Sequence, residues 1–109
     1  MAETFKNVRS IVTTSVVDAY VCPASTTAIV LKGRATNVNG SQTTGLITAQ
    51  WTDSSAANAV TRLVYQTPVP NQASLIFAEK EVLETGDKLQ VLADANSILE
   101  VTLSILEIS

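Results

Sequence analysis

The stretch that decides the fold is residues 83–108, LETGDKLQVLADANSILEVTLSILEI. Its second half alternates large apolar residues with Glu, Thr and Ser, the period-two pattern of a strand with one buried face. The apolar positions are Leu99, Val101, Leu103 and Ile105. Residues 88–92 alternate in the same way, and residues 93–97 (ADANS) predict a turn between the two strands. We therefore expect a C-terminal hairpin whose last strand closes the core.

The end of this last strand departs from the alternation. Leu106 and Ile108 occupy the face that is polar up to Ser104, while Glu107 occupies the apolar face. Such a slip predicts either a β-bulge or a strand end that is buried on both faces.

The rest of the chain has the same β character, because Thr, Val and Ile are abundant and turn clusters recur about every ten residues. Gly33 predicts a bulge or a bend, and Pro68 predicts the end of a strand. Asn39-Gly40 predicts a turn, although the polar residues 41–44 that follow favour a longer loop. Further strands are predicted at residues 4–14, 16–22, 28–38, 45–52, 59–66 and 73–79. About eight strands without a helix predict an all-β antiparallel two-sheet β-sandwich, either jelly-roll or immunoglobulin-like.

Composition indicates a single folded domain over residues 1–109. Apolar residues make up 46% of the chain and charged residues only 16%, which excludes a disordered chain. So few charges leave much uncharged surface, which either a partner covers or Ser and Thr side chains make polar. Both interpretations stay open at this point.

The net charge of −3 is unevenly distributed along the chain. Residues 1–62 hold five Lys/Arg against three acids (+2), and residues 63–109 hold two against seven (−5). If the two halves folded to opposite faces, copies would attract each other head to tail or around an axis. Interleaved strands, which we favour, would cancel the asymmetry. No basic run is present, so we expect no nucleic-acid partner.

Catalytic and metal-binding patterns are missing from the sequence. One cysteine, Cys22, and no histidine exclude an internal disulfide and a His-dependent nucleophile. Asp53, Asp87 and Asp94 each lie in a predicted turn, where Asx-turn chemistry accounts for them more simply than a calcium loop does. We expect no enzyme activity, no catalytic residue, no cofactor and no metal.

Two targeting features are also missing. The chain has no apolar run long enough for a transmembrane helix, and residues 1–6 lack the apolar core of a signal peptide. We therefore expect synthesis in a cytoplasm and no membrane partner.

The aromatic residues leave one binding alternative open. Trp51 with Tyr20 and Tyr65 would form a sugar-stacking platform if all three were exposed on one surface. Trp51 is in phase with Ile47, however, which favours a position in the core or at its rim.

Several segments resemble small all-β virion structural proteins of tailed bacteriophages, especially phages of cyanobacteria. The segments are residues 1–7 (MAETFKN), 20–28 (YVCPASTTA), 51–55 (WTDSS), 83–87 (LETGD) and 104–108 (SILEI). They are turn and strand signatures spread over most of the chain. Cys22 departs from the apolar or β-branched residue expected there. The resemblance implies a repeated, non-enzymatic component of a virion that is made in the cytoplasm of a bacterial host.

Within that class we expect a capsid decoration (cement) protein, a homo-oligomer with a trimer favoured, which bridges major capsid protein or other virion subunits. The alternatives are a neck, tail or fibre-associated protein and, from another class, a carbohydrate-binding or adhesin module. Residues 1–9 are a candidate contact arm, and the loops at residues 52–58 and 68–73 are further candidates. The predicted partner contacts are Phe5, Lys6, Arg9, Asp53, Asn58, Val69 and Asn71.

Overall fold

A computed structural model describes residues 2–38, 43–96 and 98–109 and contains eight strands. The strands are β1 Glu3–Ile11, β2 Val17–Val21, β3 Thr27–Asn37, β4 Gly45–Asp53, β5 Ala59–Val69, β6 Ser74–Leu83, β7 Lys88–Ala93 and β8 Leu99–Ile108. A short 3-10 helix, Ser54–Ala56, follows β4. The predicted Asn39-Gly40 turn lies outside the described residues.

The strands form two four-stranded antiparallel sheets, with the orders β1-β8-β3-β6 and β2-β7-β4-β5. The predicted two-sheet β-sandwich is therefore confirmed. Strand β1 pairs with β8, β2 with β7, β3 with β6 and β4 with β5, as if a long hairpin had been wrapped around a core. This nesting is the jelly-roll topology, which the sequence left open against the immunoglobulin-like order. Each sheet contains strands from both halves of the chain, so the charge asymmetry of the sequence is interleaved.

The predicted C-terminal hairpin is wrong. Strand β7 lies in the second sheet and β8 in the first, so the residues between them cross from one sheet to the other. Within this crossing, the backbone N–H of Asp94 donates a hydrogen bond to the carbonyl of Leu46. The side chain of Asn96 accepts a hydrogen bond from the backbone N–H of Thr14. A short polar connection suits either geometry, because turn chemistry does not specify which sheet the next strand enters.

Strand β8 lies in the middle of the first sheet, between β1 and β3, as expected of a strand that closes the core. Its four alternating apolar side chains are at most 1% exposed. The slip after Ile105 is explained by a half-buried end, since Leu106 and Ile108 on one face and Glu107 on the other are all partly buried. The irregularity opposite this end is in β3, where the register shifts between Val30 and Lys32.

Two local predictions are corrected by the structure. The register between β3 and β6 shifts at Gly33–Arg34, but the extra residue is Phe77 of β6, so the bulge lies opposite Gly33 and not in β3 as predicted. A Cβ at Gly33 would lie 3.1 Å from Phe77 and Leu103, so the site also requires a small residue. Pro68 does not end β5, which continues to Val69. A proline is tolerated there because β5 is an edge strand.

The chain termini meet at one end of the sandwich, where Ala2 and Ser109 exchange two backbone hydrogen bonds. The loops at 22–26, 54–58 and 84–87 lie at this end, which we call the terminal end. The connections that follow β1, β5 and β7 lie at the opposite end. Residues 3–9 of the candidate contact arm belong to β1, in line with the strand predicted at residues 4–14, and pair with β8 within the same chain.

Candidate assembly surface

The outer face of the first sheet carries a row of apolar side chains that crosses all four strands. The pairing register places Phe5 opposite Leu106, Leu106 opposite Ile29, and Ile29 opposite Val82. Phe5 is 72% and Val82 57% exposed, and the two central residues are partly buried. We call these four residues the apolar row. A contiguous apolar strip on an outer face is typical of an interaction surface.

A second row on the same face carries positive charge. Arg9 lies opposite Thr102, and Thr102 lies opposite Arg34. Both arginine side chains are exposed, and neither takes part in an ion pair within the described residues. The surface therefore combines apolar contact area with two guanidinium groups available for carboxylates.

The edge of β1 beside this surface presents backbone groups that have no hydrogen-bond partner among the described residues. Ala2 and Ser109 form a doubly hydrogen-bonded pair, so even-numbered residues of β1 point their backbone groups toward β8. Odd-numbered residues consequently point theirs away from the sheet; they are Glu3, Phe5, Asn7, Arg9 and Ile11. The side chains of these same residues lie on the outer face and are all exposed.

Among the predicted partner contacts, Phe5 and Arg9 are brought together on this surface, whereas Lys6 has an internal partner. The Lys6 ammonium lies 3.4 Å from Glu107 Oε2, which also accepts a hydrogen bond from the Tyr20 hydroxyl. Tyr20 belongs to the second sheet and Glu107 to the first, so this contact ties the sheets together. Burial, reinforced by the hydrogen bond to Glu107, raises the pKa of Tyr20.

The other four predicted contacts are divided between the two ends of the sandwich. Asp53 and Asn58 flank the loop after β4 at the terminal end, while Val69 and Asn71 lie at the opposite end. Val69 is completely buried, so its side chain is inaccessible to a partner and we withdraw it as a contact. Its position between Pro68 and Pro70 hid the fact that it faces the core.

Three carboxylates converge at the terminal end, with oxygen atoms of Asp53, Glu84 and Asp87 within 4.8 Å of one another. Asp53 accepts hydrogen bonds from the backbone and side chain of Ser55 and caps the 3-10 helix. These bonds agree with the turn interpretation of Asp53.

Asp87 is fully buried and is the centre of a second hydrogen-bond network. It accepts bonds from the Trp51 indole, from the backbone of Glu84, and from both the backbone and hydroxyl of Ser54. Burial alone would raise the pKa of Asp87, but these bonds to the carboxylate outweigh burial and lower it.

The aromatic residues do not form a common platform. Tyr20 is 7% exposed, Trp51 packs against the core, and Tyr65 is exposed. Trp51 borders a cavity of about 160 Å³ between the sheets, which is lined mainly by apolar residues such as Leu63 and Leu89. This arrangement agrees with the core-rim interpretation of Trp51 and offers no exposed stacking surface shared by the three rings.

Sequence reasoning missed three of the four residues in the apolar row. Leu106 had a signal, because the slip after Ile105 placed it on an otherwise polar face. Ile29 and Val82 had none, since their alignment with Phe5 depends on the register of strands that are far apart in the chain.

No protein-family model and no curated protein matches the sequence. Solved structures do share the fold. A Bacillus endospore appendage protein, from disulfide-linked pili, has a TM-score of 0.59 at 11% identity, covering 99% of this chain and 87% of that one. The acid-stable capsid of Helicobacter pylori bacteriophage KHP30 gives 0.56 at 12% identity, covering 100% and 94%.

A protein chain in the structure of infectious bursal disease virus, Gx strain, also shares the fold, with a TM-score of 0.56 at 9% identity. The likeness covers 96% of this chain but only 32% of the viral chain, so it concerns one part of that larger protein. The fold is therefore one found in capsid and pilus proteins. Among the described residues, no helix is long and apolar enough to cross a membrane.

Proposed function

We propose that this protein is a structural component of a phage virion, and most specifically a capsid decoration protein. The apolar row on an exposed sheet face is the observation that carries the proposal. A virion is the setting that the sequence resemblance implies, and one of the structures sharing the fold is a phage capsid.

The proposed binding surface is the outer face of the first sheet. The apolar row supplies contact area, while Arg9 and Arg34 supply charge that selects a carboxylate-bearing neighbour such as a capsid subunit. Each contact of this size is weak alone. Repetition of the same contact over a shell increases the effective affinity, which is how a small domain would reinforce the head.

The experiment is co-sedimentation of the purified protein with empty heads and, separately, with tails of the phage that carries its gene. Saturable binding to heads at many copies per particle is the expected result. Binding to tails alone, or at a few copies per head, would replace the proposal with a neck, tail or fibre role. Binding to neither would refute a virion role.

A matched pair of variants tests the surface itself. Val82→Lys places a charge in the apolar row, whereas Val60→Lys places the same charge on β5 of the other sheet. The two valines are 57% and 44% exposed, so neither change disturbs the core. We expect head binding to weaken about tenfold or more for Val82→Lys only, since burying an unpaired charge is costly. Equal binding by both variants would rule out this face.

A further inference from the structure

We infer that two copies of this chain pair through their β1 edges about a two-fold axis and form one continuous eight-stranded sheet. The inference concerns the contact between copies, and it is independent of the particle to which the protein belongs. It rests on the regularity of β1, on the direction of its unpaired backbone groups and on the residues that the symmetry brings opposite each other.

Strand β1 differs from the other three edge strands in its regularity. It keeps a single register with β8 over all nine residues. Strand β2 is five residues long and shifts register, and β5 shifts register and contains Pro68. Strand β6 is interrupted by a register shift and by a positive φ at Lys80. Short length, bulges and prolines are among the features by which proteins prevent edge pairing, and β1 lacks these three. Charged side chains are another such feature; β1 carries Glu3, Lys6 and Arg9, of which Lys6 is held in an ion pair with Glu107 of its own chain.

The outward-facing backbone groups fix the register of such a pair. Asn7 is the middle residue of β1 and is one of those whose N–H and C=O point away from β8. Full antiparallel overlap of two β1 strands therefore places Asn7 opposite Asn7 of the second copy, in a doubly hydrogen-bonded pair. Every other outward-facing residue of one copy then lies opposite an outward-facing residue of the second copy. The N–H and C=O groups along the shared edge therefore face each other in positions to form the ladder hydrogen bonds.

The same register pairs complementary side chains on the outer face. Phe5 of each copy lies opposite Arg9 of the other, so the symmetry produces two arginine–aromatic pairs. Phe5 is 72% exposed in the single chain, and the guanidinium of Arg9 has no ion-pair partner in the described residues. On the inner side, Thr4 lies opposite Ser10. The remaining pairs are Glu3 with Ile11 and Lys6 with Val8, so no pair places like charges opposite each other, and the strand is compatible with a two-fold contact.

Sedimentation equilibrium of the intact chain tests the inference. We expect a mass that rises with concentration from 11.5 kDa to twice that value. Phe5→Arg places like charges opposite each other and should weaken dimerisation about tenfold or more. The double variant Phe5→Arg/Arg9→Phe restores an arginine–aromatic pair at both positions and should recover the dimer. A wild-type monomer or trimer, or a dimer unaffected by Phe5→Arg, would overturn the inference.

Cross-linking tests the register without relying on affinity. Cα atoms of a doubly hydrogen-bonded antiparallel pair are about 5.5 Å apart, within the range of a disulfide. Asn7→Cys should therefore form a covalent dimer on oxidation, whereas Phe5→Cys should not, because position 5 faces position 9. The native Cys22 is 2% exposed and does not interfere. Equal cross-linking of both variants, or of neither, would contradict the proposed register.

Discussion

Asp87 illustrates how one buried carboxylate holds several segments together. Its hydrogen bonds connect Trp51 in β4 to the two loops that contain Ser54 and Glu84. A fully buried carboxylate without these donors would be strongly destabilising, because its charge would lack both water and partners. The network therefore fixes the shape of the terminal end.

We expect Asp87→Asn to lower the free energy of unfolding by about 2–4 kcal/mol at pH 7, since an amide cannot accept all of these bonds. The lowered pKa also gives the wild type a pH dependence. Its contribution to stability is complete above the ordinary value of 3.8 and is lost as the pH falls through the lower folded pKa. Urea unfolding at several pH values below neutrality measures both effects.

Asp94→Asn is the matched control, because Asp94 is an exposed turn residue whose carboxylate accepts a hydrogen bond from the backbone N–H of Leu46. Asp94→Asn should lower the free energy of unfolding by less than Asp87→Asn does. It should also keep the decline in stability that the wild type shows at acid pH. An Asp87→Asn protein with the same acid decline as the wild type would show that another group is responsible.

Tyr20 gives the opposite pH dependence. Its pKa is raised by burial and by the hydrogen bond to Glu107, so its neutral form stabilises the fold below the ordinary value of 10.0. This stability is lost as the pH rises through the folded pKa. Tyr20→Phe should lower the free energy of unfolding by about 1 kcal/mol at neutral pH. It should also remove the part of the stability loss at alkaline pH that comes from ionisation of Tyr20. Urea unfolding between pH 8 and 11, compared with a Tyr65→Phe control, measures the difference.

At the scale of elements, β1 is part of the sandwich as well as its most regular edge. Deleting residues 2–9 would leave β8 unpaired on one side and remove Val8, which packs against the core. We expect a marked fall in the urea midpoint and aggregation through the new edge. A deletion variant with wild-type stability would show that β1 docks only weakly on β8.

The elements also show which predictions a sequence supports. Alternation identified β8 and its buried side chains, because the period of a strand is a local property. The route of the chain after β7 was not predictable, since residues 93–97 contain turn formers without information on which sheet follows. The prediction that Pro68 ends a strand was wrong for a related reason. A proline is compatible with an edge strand but not with a central one, and the local sequence does not show which of the two β5 is.

For the whole molecule, the class of fold was predictable and the candidate surface largely was not. Phe5 and Arg9 were predicted contacts on the strand predicted at residues 4–14, but the strand that pairs with it and the face on which the two side chains lie were not predicted. The apolar row exists because four separate strands, including β1 and β8 from opposite ends of the chain, align in one register. Such an alignment is a tertiary property, and no local pattern at Ile29 or Val82 reveals it.

The pairing of Ala2 with Ser109 has a practical meaning for engineering. Two chain ends held side by side can be joined by a very short linker, so that new termini could be opened in an exposed connection such as residues 70–73. For the same reason the domain could be inserted into a surface loop of a host protein, because the two points of attachment in the loop would stay close together. The inserted domain would then present the outer face of its first sheet on the surface of the host protein.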